Sequence, residues 1–216
     1  MKDIIMIGSG GCMRELAWQI LEDNKYINKW NILGYVDDNV SNSKDLYVGD
    51  CFIPYLGNDD YIINTQTDLN IVVSIGSSQL RYTLVSKYCK NSYVHFPNII
   101  LNSAKVCDDL KIGKGCIIAM DARISTNIEM GNFVFANTGS LICHDGVIGD
   151  FVTISPRSQV AGNVNIGPRV EIGMNASIIQ SLNIKSDVII GAGATVIEDI
   201  KEKCTVVGVP ARKIGE

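Results

Sequence analysis

From Ile100 onward an aliphatic residue returns at every sixth position: Ile100, Val106, Ile112, Ile118, Ile124, Met130, Ala136, Ile142, Ile148, Ile154, Val160, Ile166, Ile172, Ile178, Ile184, Ile190 and Val196. Only Ala136 among these seventeen is not Ile, Val or Met. A second column four residues further on, from Ala104 through Cys116, Val134, Val152 and Val170 to Ile200, is small or apolar throughout. Glycine directly follows the first column at Gly113, Gly131, Gly149, Gly167, Gly173 and Gly191. A period of six matches neither the 3.6 of a helix nor the 2.0 of a simple strand. It predicts a short strand and a tight corner, repeated, with three strands per coil closing a triangular prism. The branched residue points inward, and the glycines and asparagines that follow take the unusual dihedrals of the corners. Seventeen hexapeptides make between five and six coils; stacked at about 4.8 Å, they form a column on the order of 27 Å tall. A β-sandwich of regularly spaced strands would not hold one register through that length without an insertion.

Such a column has open ends that need covers. Residues 1–95 can cap the first coil, and the tail Lys201–Glu216, with its Gly208-Val209-Pro210 turn, can close the last. Residues 1–95 themselves alternate strands with helices. Asp3–Ile7 reads as a strand and is followed by Gly8-Ser9-Gly10-Gly11; then Met13, Leu16, Ala17, Ile20 and Leu21 recur on one helical face. Strand Ile32–Val36 ends in Asp37-Asp38-Asn39, and a second unit runs from strand Ile71–Ile75 through Gly76-Ser77-Ser78 into a helix to about Tyr88. The expected organisation is a small Rossmann-like α/β domain over residues 1–95, a parallel β-helix over 96–200 and a capping tail over 201–216.

Composition narrows the function classes. A formal charge of −4 without a Lys/Arg run offers no phosphate-neutralising stripe for nucleic acid. No apolar run approaches the roughly 20 residues that span a bilayer, and the start Met1-Lys2-Asp3-Ile4-Ile5 shows no signal-peptide pattern, so a cytoplasmic protein is expected. Seven scattered cysteines with no C-x-x-C pair suit a reducing compartment. With only His95 and His144 as histidines, no metal site is expected.

The turn Gly8-Ser9-Gly10-Gly11 places backbone N–H groups and a helix N-terminus where a phosphate could sit. It is an incomplete dinucleotide fingerprint, because Met13 stands where the third glycine belongs; a tight turn without ligand is the alternative. Asp37 and Asp38 could accept hydrogen bonds from a ribose or base, or be an exposed turn. His144 is the one histidine inside the repeat and lies outside both inward columns. Asp145 follows it, and Gly146 is expected to leave space beside the ring. A neutral imidazole oriented by a carboxylate can take a proton from a hydroxyl or amine; an inert surface histidine is the alternative. His95, in Val94-His95-Phe96-Pro97, and Cys143 read as structural.

His144-Asp145-Gly146-Val147-Ile148-Gly149-Asp150 resembles the active-site segment of the sialic-acid O-acetyltransferase and UDP-amino-sugar N-acetyltransferase family. Ala161-Gly162-Asn163-Val164, Ile190-Gly191-Ala192-Gly193-Ala194 and Val207-Gly208-Val209-Pro210-Ala211-Arg212 follow the same family in the same order, as do Gly8-Ser9-Gly10-Gly11 with Arg14-Glu15 and Gly34-Tyr35-Val36-Asp37-Asp38. The resemblance implies a left-handed parallel β-helix of hexapeptide repeats assembled as a homotrimer, with active sites in the grooves between prisms. It implies acetyl-CoA as co-substrate, lying along the groove past Gly162, Gly173, Met174 and Ala192. It makes His144 the general base and Asp145 its partner. A sugar or sugar-nucleotide acceptor would be held by Gly8, Ser9, Gly10, Gly11, Asp37 and Asp38, and the product would serve surface glycan synthesis. The expected reaction is direct attack on the thioester, the oxyanion meeting a backbone N–H near Gly162, without an acyl-enzyme. Two positions depart from relatives: Thr153 and Cys12 stand where histidines are common, which bears on the acceptor rather than on acyl transfer. Two other functions are weighed. A γ-type carbonic anhydrase needs three ligating histidines where the repeat has one, and a non-catalytic sugar-nucleotide-binding scaffold leaves His144-Asp145 without a role.

Overall fold

The computed structural model of the protein describes residues 1–39 and 44–215. Residues 40–43 of the expected α/β domain and residue 216 of the expected tail lie outside the described residues. The chain divides into two compact units: Met1–Gly76 with Leu80–Pro97, and Ser77–Gln79 with the residues from Asn98 onward.

The first unit contains β1 (Lys2–Ile7), α1 (Gly11–Asn24), β2 (Trp30–Val36), β3 (Leu46–Val48), β4 (Cys51–Ile53), β5 (Tyr55–Gly57), α2 (Asp60–Ile63), β6 (Leu69–Val73) and β7 (Val94–His95); α3 (Ser78–Tyr88) has its first two residues in the second unit. Its parallel sheet has the order β5-β2-β1-β6-β7, and β3-β4 is a separate hairpin. Ile4, Ile5, Met6 and Ile7 are buried, which suits a central strand covered on both faces. On α1, Met13, Leu16, Ala17 and Ile20 are buried and Leu21 is partly exposed. The strand expected at Ile71–Ile75 instead ends at Val73. The buried Arg81 donates from Nη1 to the carbonyl of Ile75 at 2.6 Å, and the Ser74 hydroxyl donates to the carbonyl of Ile7 at 2.9 Å. Side chains therefore hold this segment as a turn.

In the second unit seventeen two-residue strands, β8 (Ile99–Ile100) to β24 (Thr195–Val196), form a parallel β-helix. Each pairs with the strand eighteen residues away, as in Ile99↔Ile117, Phe135↔Thr153 and Gln159↔Ser177. These seventeen strands collect into three sheets, one of five and two of six, and two C-terminal strands extend one of the latter to eight. From Ile118 to Val196 the first column is buried inside the prism, while Ile100, Val106 and Ile112 are partly exposed. Ser140 in the second column is buried with a hydroxyl that has no hydrogen-bond partner among the described residues. β25 (Thr205–Val207) continues the eight-stranded sheet in parallel, and β26 (Arg212–Ile214) folds back on it antiparallel; Val206 and Ala211 join the core.

The corners differ from expectation. The glycines after the first column do not supply positive φ. Left-handed backbone falls two residues later, at every sixth residue from Gly115 to Gly193, and is taken by Asp121, Asn127, Phe133, Asp145, Phe151, Arg157, Asn163, Arg169, Asn175, Ser181 and Asp187 as well as by glycine. The corner glycines are needed for close approach instead. A Cβ on Gly149 would lie 2.7 Å from the backbone nitrogen of Pro168, and one on Gly173 would lie 2.5 Å from that of Ala192 in the next coil. No helix among the described residues is long and apolar enough to cross a membrane.

Candidate active site

His144 stands on the corner between β15 (Leu141–Ile142) and β16 (Val147–Ile148). Its Nδ1 lies 2.8 Å from Asp145 Oδ2, and the other oxygen of Asp145 accepts from Asn127 Nδ2 at 2.7 Å. These bonds, with Asn127 contributing most and His144 next, hold the Asp145 carboxyl below the usual carboxylate range. Asp145 sits at φ +58°, a conformation Asp and Asn tolerate better than most residues. With Asp145 ionised, Nδ1 is the donor, and Nε2 is left with an in-plane lone pair.

The space beside the ring comes from Gly162, not from Gly146. Gly146 is buried in the second inward column, where a Cβ would lie 3.3 Å from Ile128 Cδ1. Gly162 is one coil on from His144, between β18 (Gln159–Val160) and β19 (Asn165–Ile166). A Cβ there would lie 2.5 Å from Cε1 and 2.7 Å from Nε2 of His144, so the imidazole rests directly over this glycine. The carbonyl of His144 accepts from Asn163 N–H at 2.9 Å, fixing the two coils in register.

Gly173, Met174 and Ala192 come together with one another but not with His144. Gly173 and Met174 follow β20 (Glu171–Ile172), Ala192 follows β23 (Ile189–Ile190), and Gly193 N–H donates to the Met174 carbonyl at 2.8 Å. Met174 and Ala192 are exposed. This corner and the His144 corner are opposite edges of the six-stranded face. Thr153 is buried on the eight-stranded face, and Cys143 beside His144 is partly buried. Among the described residues no group of three or more His, Cys, Asp or Glu could hold a metal ion.

The α/β unit contains a cavity of about 500 Å³, lined by the Gly8–Cys12 turn, Asp37, Asp38, Asn39, Asp59 and Tyr88, among others. Gly8 has φ +99°, and a Cβ on Gly10 or Gly11 would meet no atom within 4 Å. Those two glycines are therefore not demanded by packing, and the room beside them belongs to the cavity. Gly10 caps α1 without a side-chain hydrogen bond, so the first-turn N–H groups have no side-chain acceptor there. Asp37 accepts the Ser9 hydroxyl at 2.5 Å and the Asn39 N–H at 2.8 Å; each carboxylate oxygen retains a further lone pair. Asp38 is engaged in the wall. Its Oδ1 accepts Asp59 N–H at 2.9 Å, the main cause of its lowered pKa, and Oδ2 lies 3.6 Å from Lys87 Nζ. Asp59, which the sequence reading missed, is buried and accepts from Tyr88 and Lys87. Its run Asn58-Asp59-Asp60 carries only a loop signal. Burial, with Glu15 nearby, pushes the Cys12 thiol up to about 11, so it is a neutral thiol near neutral pH.

Residues 3–88 match the family model described as the PglD N-terminal domain. No curated protein matches the chain. Over its whole length the chain is similar to solved proteins that include acetyltransferases. One is a histidine-to-asparagine mutant of perosamine N-acetyltransferase from Caulobacter crescentus in complex with CoA and GDP-perosamine, 25% identical over 100% of this chain and 98% of that one, with a TM-score of 0.87. The acetyltransferase domain of PglB from Neisseria gonorrhoeae is 26% identical over 99% and 100%, with a TM-score of 0.87, and is also known in complex with acetyl coenzyme A. WeeI from Acinetobacter baumannii is 28% identical over 99% and 100%, with a TM-score of 0.84. Residues 3–88 thus carry the PglD N-terminal domain, and from end to end the chain shares its fold, an α/β unit followed by a hexapeptide-repeat β-helix, with solved sugar acetyltransferases that it resembles.

Proposed function

We propose that the protein transfers an acetyl group from acetyl-CoA to the amine of a nucleotide-linked amino sugar, with His144 as general base. The observation that carries this reading is the imidazole resting on Gly162 with Nδ1 engaged by Asp145 and Nε2 free to accept a proton. His144 Nε2 takes a proton from the amine as its nitrogen bonds to the thioester carbonyl carbon; the C–S bond then breaks and the thiolate leaves as CoA. The N–H of Gly162 donates to no backbone carbonyl among the described residues and suits the developing oxyanion. Asp145 stabilises the imidazolium. Chemistry of this kind needs no acyl-enzyme, so Cys143 has no part in it.

The α/β cavity suits the nucleoside diphosphate. The pyrophosphate would lie against Gly10, Gly11 and the start of α1, and Asp37 would accept from the ribose. Asp38, already committed to Asp59, would shape the wall. The placement of Gly173, Met174 and Ala192 supports a homotrimer. A thioester at His144 with its pantetheine on that second corner is accommodated when the corner belongs to a neighbouring copy, and cyclic symmetry repeats such a site three times. Use of acetyl-CoA and an activated sugar supports a cytoplasmic reaction, and the acetylated sugar would feed surface glycan synthesis. Nucleotide-linked amino sugars should release CoA in the presence of the protein and acetyl-CoA, with the N-acetyl product seen by mass spectrometry. His144→Ala should lower that turnover at least about 100-fold while acetyl-CoA still binds. Near-normal turnover in this variant would remove His144 from the mechanism.

A further inference from the structure

We infer that Asn127 is a positioning residue for His144, acting through the oxygen of Asp145 that the imidazole does not use. The inference rests on the reading of His144 as the base. Asp145 is exposed at the surface of the prism, where an unrestrained carboxylate rotates and offers either oxygen, or an intervening water, to the ring. Asn127 occupies the same corner position one coil earlier, at φ +54°. Its Nδ2 reaches Asp145 Oδ1 at 2.7 Å, which leaves Oδ2 to face Nδ1 of His144 at 2.8 Å. Asn127 is itself anchored, because its backbone N–H donates to Asp109 Oδ2 at 3.0 Å and the neighbouring Thr126 hydroxyl donates to the same oxygen.

Coil spacing is what lets a short amide bridge the two positions. The same corner repeats the arrangement two coils on, where Asn163 Nδ2 donates to Ser181 Oγ at 3.1 Å, but no imidazole stands there. At position 127 the donor has a defined consequence. A carboxylate pinned with Oδ2 toward the ring selects the neutral imidazole carrying its proton on Nδ1, with Nε2 bare. That is the tautomer a base at Nε2 requires, and free histidine favours the other one.

The test is nitrogen NMR of the imidazoles in the full chain, recorded at about pH 8.5. His95 and His144 are the only two histidines. His95 engages Asp68 through Nε2 at 2.8 Å, so it serves as an internal reference of opposite tautomer. In the wild type His144 should be dominantly Nδ1-protonated. Asn127→Gly keeps a corner compatible with positive φ and should at least about double the Nε2-protonated share of His144 while leaving His95 unchanged. In an Asp145→Gly background His144 should already be mixed, and adding Asn127→Gly should change nothing further. The inference is overturned by a wild-type tautomer in Asn127→Gly, or by an equal shift in both backgrounds. Failure of the base assignment would show separately, as turnover retained by His144→Ala with these spectra as expected.

Discussion

A Cβ on Gly162 would lie 2.5 Å from Cε1 of His144, well inside van der Waals contact. The His144 side chain is 59% exposed, so it can swing off its platform without disturbing the core. Gly162→Ala should therefore lower turnover by roughly 10- to 100-fold while changing stability by less than about 0.5 kcal/mol. CoA-release kinetics and thermal unfolding measure the two effects, and unchanged turnover would show that the ring's seat on Gly162 is dispensable. His144 and Asp145 were legible as a pair because a single histidine falls within the repeat, outside its inward columns, and a carboxylate follows it. The role of Gly162 as platform was not, since the neighbour that shapes the ring's surroundings is adjacent across the stack, whereas Gly146 is merely adjacent in the chain. Asn127 escaped notice for the same reason. Asp59 had no periodic signal to mark it.

At the scale of the element, the inward columns were readable because burial selects side chains by size and polarity at fixed intervals. The corners were less so. Their left-handed position accepts Phe133 and Phe151, whose rings stack at 5.0 Å, and Arg169 and Asp187, which pair through two hydrogen bonds of 2.7 and 2.8 Å. Contacts between coils there outweigh the conformational preference of each residue, so residue type does not announce the conformation. The Arg169 guanidinium holds the Asp187 carboxyl below its usual range. A carboxyl whose folded pKa lies below its unfolded value, about 3.9, stabilises the fold above that value and loses the contribution as pH falls through the folded pKa. Asp187→Asn should therefore be less stable than the wild type by about 1 kcal/mol near pH 7, and the difference should shrink as the pH falls below the unfolded value. Thermal unfolding across that range tests the sign; a difference constant with pH would mean that the ion pair contributes nothing.

For the whole molecule, two corners at opposite edges of one face carry the residues assigned to a single site. If neighbouring copies build that site, His144→Ala and Ala192→Trp subunits, each nearly inactive alone, should complement when co-expressed. Half of the subunits then supply an intact His144 and half an open second corner, so about a quarter of the grooves are complete. Activity no higher than that of the separate variants would place the site within one chain. The amino-acid sequence by itself determined the β-helix and its register, because a period of six repeated seventeen times leaves one arrangement that buries every branched residue. It also placed the strand–turn–helix units of the α/β domain, whose hydrophobic periods are local. Only the tertiary structure decided what surrounds each of these residues: Gly162 beneath the imidazole, Asn127 on the carboxylate, Asp38 tied to Asp59. Those contacts join residues that are distant in the chain, and the short-range pattern that folds the coil does not encode which side chains meet on its outer surface.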